Sequence, residues 1–217
     1  MAKNKYKMVI FDFDDTLVES RAAKWNQHKY VAKKFYNIDV TEEELLKQWG
    51  KPLNILVGEL YQNSDTLENM YAALTSTKDD FQKKIYKESI NTVNKLLENN
   101  IKVGVISATT KFFLIEDLKR FGFPIDKFSI IQGADETPVH KPNPDVFLPL
   151  FEKYLNKEIE KNEIVYIGDS IDDFKAATDA GIDFIAVTTG LYSDIDFKKL
   201  GAKNITKGIH EIINKVI

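Results

Sequence analysis

Apolar and polar positions follow two rhythms along this chain. Met8, Val9, Ile10 and Phe11 form an unbroken apolar run that ends abruptly at Asp12. Such a run, short and bulky, predicts a strand buried on both faces. The period then lengthens. Trp25, Val31, Ala32, Phe35 and Tyr36 recur at roughly helical spacing. Thr41 with Glu44 makes a capping box for a helix that carries Leu45, Leu46 and Trp49 and stops at Gly50. Leu53, Leu56, Leu60 and Tyr61 mark a third helix, and Leu67, Met70, Tyr71 and Leu74 a fourth. No strand is predicted between Leu17 and Leu97. A long helix is expected from Lys78 onward, with Phe81, Ile85, Ile90, Val93 and Leu97 on its apolar face and Asn99–Asn100 at its end.

Strands and helices alternate from there. Strands are predicted at 102–108, 128–132, 164–167 and 184–187, the last of these being the last clear strand of the chain. Helices are predicted at 112–121, closed by Gly122, from Asn143 with Pro144 in its first turn, at 171–180, closed by Gly181, and from Lys207 to the end. Alternating βα units imply an α/β fold with a doubly wound parallel sheet. The helical block interrupts that pattern and reads as a small all-helical domain inserted at 18–88, the α/β core being 1–17 and 89–217. Ligands of such sheets bind outside the carboxyl ends of the strands. Asp12, Asp14, Ser107 and Asp169 all fall there.

Composition narrows the chemistry. With 217 residues, 43% of them hydrophobic, each domain can bury a real core. The net charge is −3 and no basic block suggests a nucleic-acid face; Lys33–Lys34 and Lys198–Lys199 read as solvated helix surface. The absence of cysteine excludes disulfides, thiol nucleophiles and thiolate metal sites, and fits a cytoplasmic setting. No run approaches the ~20 apolar residues of a membrane-spanning helix.

Each candidate position has a bland alternative. Asp12-Phe13-Asp14-Asp15-Thr16 could be an acidic turn after a strand. Ser107 could be a helix cap. Lys141, in His140-Lys141-Pro142-Asn143-Pro144, could be a solvated side chain beside an ordinary helix start. Asp169, Asp172 and Asp173 could simply favour a helix N-terminus electrostatically.

Taken together, these segments resemble the four motifs of the haloacid dehalogenase-like superfamily, in order and at strand ends. The matching residues are Asp12-x-Asp14-x-Thr16, then Ser107, then Lys141-Pro142-x-Pro144, and finally Gly168-Asp169-Ser170-x-x-Asp173. The inserted block resembles the superfamily's helical cap. Gly50-Lys51-Pro52-Leu53 resembles the substrate-facing cap loop of phosphoglycolate-phosphatase-like members. Two positions depart from the common pattern. Asp15 sits where many members have Gly, and Ala108 replaces the Asn that commonly follows the serine.

The resemblance implies a phosphatase of a small phosphorylated metabolite. Asp12 would be the nucleophile and Asp14 the general acid and base. Mg2+ would be held by the Asp12 carboxylate, the Asp14 backbone carbonyl and Asp169, with Asp173 in support. Lys141, Ser107, Ala108 and Thr16 would form the phosphate site, with Thr16 also orienting the loop. Gly50 and Lys51 would contribute to substrate choice. The presence of Asp14 points away from the dehalogenating members, which resemble one another in lacking it. Two further readings use the same residues. One is a β-phosphoglucomutase-like phosphomutase, with Arg21 and Lys51 as cap cations; the other is a non-catalytic protein that binds a phosphorylated ligand. The resemblance also implies hinges near Val18–Arg21 and Ser76–Asp80.

Overall fold

Every side chain of the first strand, β1 (Met8–Phe11), is buried. This is seen in a computed structural model that describes residues 4–51, 53–155 and 157–217. A short strand β2 (Val18–Glu19) follows, then helices α1 (Arg21–Tyr36), α2 (Glu42–Gln48), α3 (Leu53–Leu60) and α4 (Leu67–Ser76). The chain continues through β3 (Lys84–Ile85), α5 (Ser89–Glu98), β4 (Lys102–Ile106), α6 (Lys111–Phe121) and β5 (Ile130–Gln132). The last part comprises α7 (Leu148–Tyr154), β6 (Ile164–Gly168), α8 (Ile171–Ala180), β7 (Asp183–Val187), α9 (Asp194–Lys199), β8 (Ile205–Thr206) and α10 (Ile213–Val216). Two compact units result: Glu19–Lys84, and the remainder of the chain, Met1–Val18 with Ile85–Ile217.

The larger unit is an α/β fold built on a six-stranded sheet in the order β5-β4-β1-β6-β7-β8, parallel throughout. Successive side chains of a strand point to opposite faces, and here each face has its own apolar core. Val9, Phe11, Val103, Val105, Val165 and Ile167 pack with Val93 and Leu96 of α5 and Leu114 and Leu118 of α6. On the other face Met8, Ile10, Ile164 and Tyr166 pack with Leu150 of α7, Ala176 and Ala177 of α8 and Phe197 of α9. The sheet is therefore wound on both sides. Strand order reverses at β1, which lies between β4 and β6, and the carboxyl end of β1 is therefore the topological switch point at which such sheets bind ligands.

The smaller unit is helical, with a core of Val31, Ala32, Leu45, Leu56, Val57, Leu60, Tyr61, Met70 and Ala73 drawn from its four helices. The Thr41–Glu44 capping box forms at the start of α2. No helix among the described residues is long and apolar enough to cross a membrane.

Several elements differ from the sequence reading. The expected long helix from Lys78 is instead a 3-10 turn at Lys78–Asp80, the strand β3 and the shorter α5. Its apolar positions serve separate cores: Phe81 packs on the Tyr30 ring within the helical unit, while Ile85 packs against the core containing Val9 and Phe11. Leu17 carbonyl accepts from Tyr86 N–H and, at 2.7 Å, from Ser89 Oγ, which ties the chain down just before α5 begins. The segment 17–97 thus contains two short strands, β2 and β3, where none was predicted, and the chain passes from one unit to the other at Lys84–Ile85. The strand predicted at 128–132 is shorter, β8 follows the strand read as the last, and the closing helix is reduced to a 3-10 turn at Ile209–Glu211 plus α10.

Candidate active site

The ladder between β1 and β6 runs one residue past the end of β1. Asp12 N–H donates to Ile167 carbonyl at 2.8 Å, which fixes the Asp12 backbone at the rim of the sheet. The chain then turns tightly. Phe13 carbonyl accepts from the N–H groups of Leu17 and Val18, and Asp15 adopts φ +57°. That left-handed conformation favours glycine, and aspartate is among the few other residues that adopt it routinely. It accounts for Asp15 at a position where the resembling family often has Gly. The turn leaves Asp14 half-buried, its Oδ2 accepting from Thr109 Oγ1 at 2.7 Å. Thr16 is fully buried, and its hydroxyl donates to Asp169 Oδ1 at 3.1 Å.

Asp169 follows the last residue of β6, and Ser170 caps α8. Asp173 Oδ2 accepts from Ser170 N–H and Oγ, while Asp173 N–H donates to Ser170 Oγ, completing a capping box. Asp173 Oδ1 faces the site, where it accepts from Lys141 Nζ at 2.6 Å. Lys141 is largely but not fully buried and also donates to Asp12 Oδ1 at 2.7 Å and to Tyr166 Oη at 3.0 Å. One carboxylate therefore does two jobs: one oxygen closes a helix cap and the other orients a cation. The acidic helix start and the solvated-lysine readings of these residues both give way to this geometry.

Ser107 stands at the end of β4. Its N–H donates to Gln132 carbonyl at 3.0 Å, and its Oγ accepts from Thr109 N–H at 3.1 Å. Ala108, the next residue, is exposed. Gly50 and Lys51 belong to the helical unit. Gly50 is exposed with φ +85°, and Lys51 Nζ donates to Gln48 Oε1 at 2.8 Å. Pro52 of the same loop lies outside the described residues.

The electrostatics of the larger unit's site are strongly unbalanced. Oxygens of Asp12, Asp169 and Asp173, all buried, lie within 4.8 Å of one another. Among the described residues the Lys141 ammonium is bonded to two of these three carboxylates, Asp12 and Asp173. Burial pushes Asp12 up to about 7; Lys141 opposes that rise and Asp173 adds to it. Burial also holds Asp169 well above the usual carboxylate range, reinforced by the charges of Asp173, Asp12 and Asp15. Burial disfavours the charge on Lys141, yet Asp12 and Asp173 outweigh it and keep the ammonium protonated. An all-oxygen cluster whose carboxylates are held up by burial and mutual repulsion fits a hard divalent cation, which would stabilise their charged forms.

Four residues of this site were not singled out from the sequence. Thr109 holds Asp14, and Tyr166 holds Lys141. Gly190 lies so close to Asp169 that a Cβ there would stand 1.8 Å from Asp169 Oδ2. Its neighbour Thr189 donates a hydroxyl hydrogen bond to Asp15 carbonyl. A buried Tyr in a strand reads as core, and Thr188-Thr189-Gly190 reads as a turn, so neither carried a signal.

Comparison with known proteins supplies an independent line. A family model described as haloacid dehalogenase-like hydrolase matches residues 9–187. A protein of Caldanaerobacter subterraneus named "Putative pyrophosphatase PpaX" is 25% identical over 84% of this chain and 82% of its own length. The phosphoglycolate phosphatase of Yersinia pseudotuberculosis is 27% identical over 84% of this chain and 81% of its own. Among solved structures, one from Bacteroides fragilis titled "Putative haloacid dehalogenase-like hydrolase" superposes with a TM-score of 0.80 at 26% identity, covering 96% of this chain and 100% of that one.

Proposed function

Because this chain belongs to the haloacid dehalogenase-like hydrolase family, we propose that it is an Mg2+-dependent phosphatase of small phosphorylated metabolites. The reading is carried by one observation: the buried carboxylates Asp12, Asp169 and Asp173 converge with the Lys141 ammonium at the carboxyl ends of β1 and β6. An Asp12 carboxylate oxygen attacks phosphorus and forms an aspartyl-phosphate, while the bond to the leaving oxygen breaks. Asp14 gives its proton to that oxygen. In the second half Asp14 takes a proton from water as the water attacks phosphorus, which frees the Asp12 carboxylate and inorganic phosphate.

Lys141 neutralises charge building on the phosphoryl oxygens, and Ser107 and the Ala108 N–H donate to them. Thr16 holds Asp169 in place through its hydroxyl. Asp12, Asp169 and the Asp14 backbone carbonyl, with Asp173 in support, would hold Mg2+, which would supply positive charge to offset that of the phosphoryl oxygens. Gly50 and Lys51 contribute to substrate choice. The absence of cysteine fits work in the cytoplasm.

Phosphate release from a panel of phosphorylated metabolites, including phosphoglycolate and pyrophosphate, tests the proposal with Mg2+ and with chelator. Mg2+-dependent release that Asp12→Asn and Asp14→Asn both lose is the expected result. Full activity in Asp12→Asn would overturn the nucleophile assignment. Isomerisation of a sugar phosphate without phosphate release would replace the phosphatase with a phosphomutase.

A further inference from the structure

Tyr166 sits in the middle of β6, and its ring packs edge-on against Phe147 and tilted against Phe184. A phenylalanine would suit that apolar setting. The hydroxyl, however, joins three polar groups. It accepts from Lys141 Nζ at 3.0 Å, donates to Ile106 carbonyl at 3.0 Å, and lies 3.3 Å from Asp173 Oδ1. Burial keeps the phenol protonated. An ammonium has three protons to give. Asp12, Asp173 and Tyr166 together account for the three donors of Lys141.

Lys141 can therefore serve a phosphoryl oxygen only by releasing one of these partners. Two of them are fixed. Asp173 is clamped through its other oxygen by Ser170, and Tyr166 is wedged in the sheet with its own proton on the β4 carbonyl of Ile106. The third, Asp12, gives up its charge when it becomes esterified. The donor released at that moment swings only as far as the two remaining hydrogen bonds allow.

On the phosphatase reading above, we propose that Tyr166 is a positioning residue for Lys141, anchoring the ammonium so that the donor freed from Asp12 is aimed at the transferred phosphoryl group. The sequence motifs include Lys141 and Asp173 but not this tyrosine. Its hydroxyl also ties both charged residues to the last residue of β4, the strand that Ser107 follows.

Tyr166→Phe removes a single oxygen and keeps the packing. With p-nitrophenyl phosphate and Mg2+, kcat should fall about tenfold, the scale of one hydrogen bond lost to a charged group, while KM changes less than threefold. Orthovanadate binding, measured by calorimetry in Mg2+, should weaken in parallel with kcat, and Mg2+ affinity should stay within twofold. In a Lys141→Met background the same change should cost nothing further in vanadate affinity. Equal losses in both backgrounds, or unchanged kcat and vanadate affinity in the single variant, would overturn the proposal. The single variant decides the matter if Lys141→Met does not fold. A wild-type protein that neither turns over the ester nor binds vanadate would show instead that the phosphatase reading has failed, and the role of Tyr166 with it.

Discussion

Thr109 donates its hydroxyl to Asp14 Oδ2 at 2.7 Å, joining two loops that lie 95 residues apart in the chain. The loop after β4 thereby orients the acid that follows β1. Neither residue reaches the other through regular secondary structure; the parallel pairing of β1 with β4 brings the two loops side by side.

Thr109→Val keeps the shape of the side chain and removes the donor. Once Asp14 has given up its proton it is a carboxylate; a hydrogen bond to a charged group contributes ~1.5–3 kcal/mol, and about 1.4 kcal/mol is a factor of ten in rate. Turnover should fall at least tenfold with KM nearly constant. Steady-state kinetics at saturating Mg2+ reads this directly, and an unchanged kcat would mean that Asp14 needs no support from the second loop.

Gly190→Ala should damage the metal site while sparing the fold. The added methyl would meet Asp169 Oδ2 at 1.8 Å, so the carboxylate must move. Titration calorimetry should show Mg2+ affinity down by more than tenfold, with far-UV circular dichroism unchanged. Wild-type affinity in this variant would place Asp169 outside the metal shell.

Metal removal should cost stability as well as activity. A ligand that binds the folded state at 100 times its Kd stabilises it by about 2.7 kcal/mol. Adding Mg2+ after exhaustive chelation should raise the melting temperature of the wild type by several degrees, and Asp169→Asn should abolish the rise. The same rise in both proteins would point to a cation site elsewhere.

His28 gives the helical unit an acid-labile point. It is buried, and its Nδ1 lies 2.8 Å from Tyr61 Oη. Burial, with Lys24 nearby, lowers His28 from 6.5 to about 4, while burial raises Tyr61 well above the usual phenol range and keeps it a donor. The unfolded chain therefore takes up the proton first as pH falls. The stabilisation is complete above pH 6.5 and is lost between there and pH 4, a change of about 3 kcal/mol. Both tryptophans, Trp25 and Trp49, lie in this unit, so their fluorescence follows its unfolding alone. Urea melts of wild type and His28→Gln should diverge across that window; parallel pH profiles would show that His28 does not control it.

The parts of the molecule legible in the sequence were those where one residue type does one job. An apolar run cut off by Asp12 is a buried strand with a carboxylate at its end, and Gly122 and Gly181 both close helices in the left-handed conformation. What escaped were positions whose role is set by partners distant in the chain. Tyr166 is core by its ring and polar by its hydroxyl, and only the ring has a periodic signature. Phe81 and Ile85 sit four apart, as on a helix, yet they pack into different cores. Spacing cannot separate one apolar face from two that happen to be in phase. Gly190 matters because of a neighbour 21 positions away, which no local pattern records.

The strand lengths in the sheet have a bearing on how the protein behaves in a crowded solution. The central strands β1 and β6 are fully buried and are hydrogen-bonded on both sides. The two edges are β5, three residues long, and β8, two residues long. Exposed strand edges are templates on which foreign chains can pair, and short edges are a common natural defence. This sheet tapers outward, so its most sticky sequences have no free side and its free sides have almost no length. Strand addition at β5 or β8 finds only a short ladder, and the longer strands β1, β4, β6 and β7 become available only if an edge strand detaches.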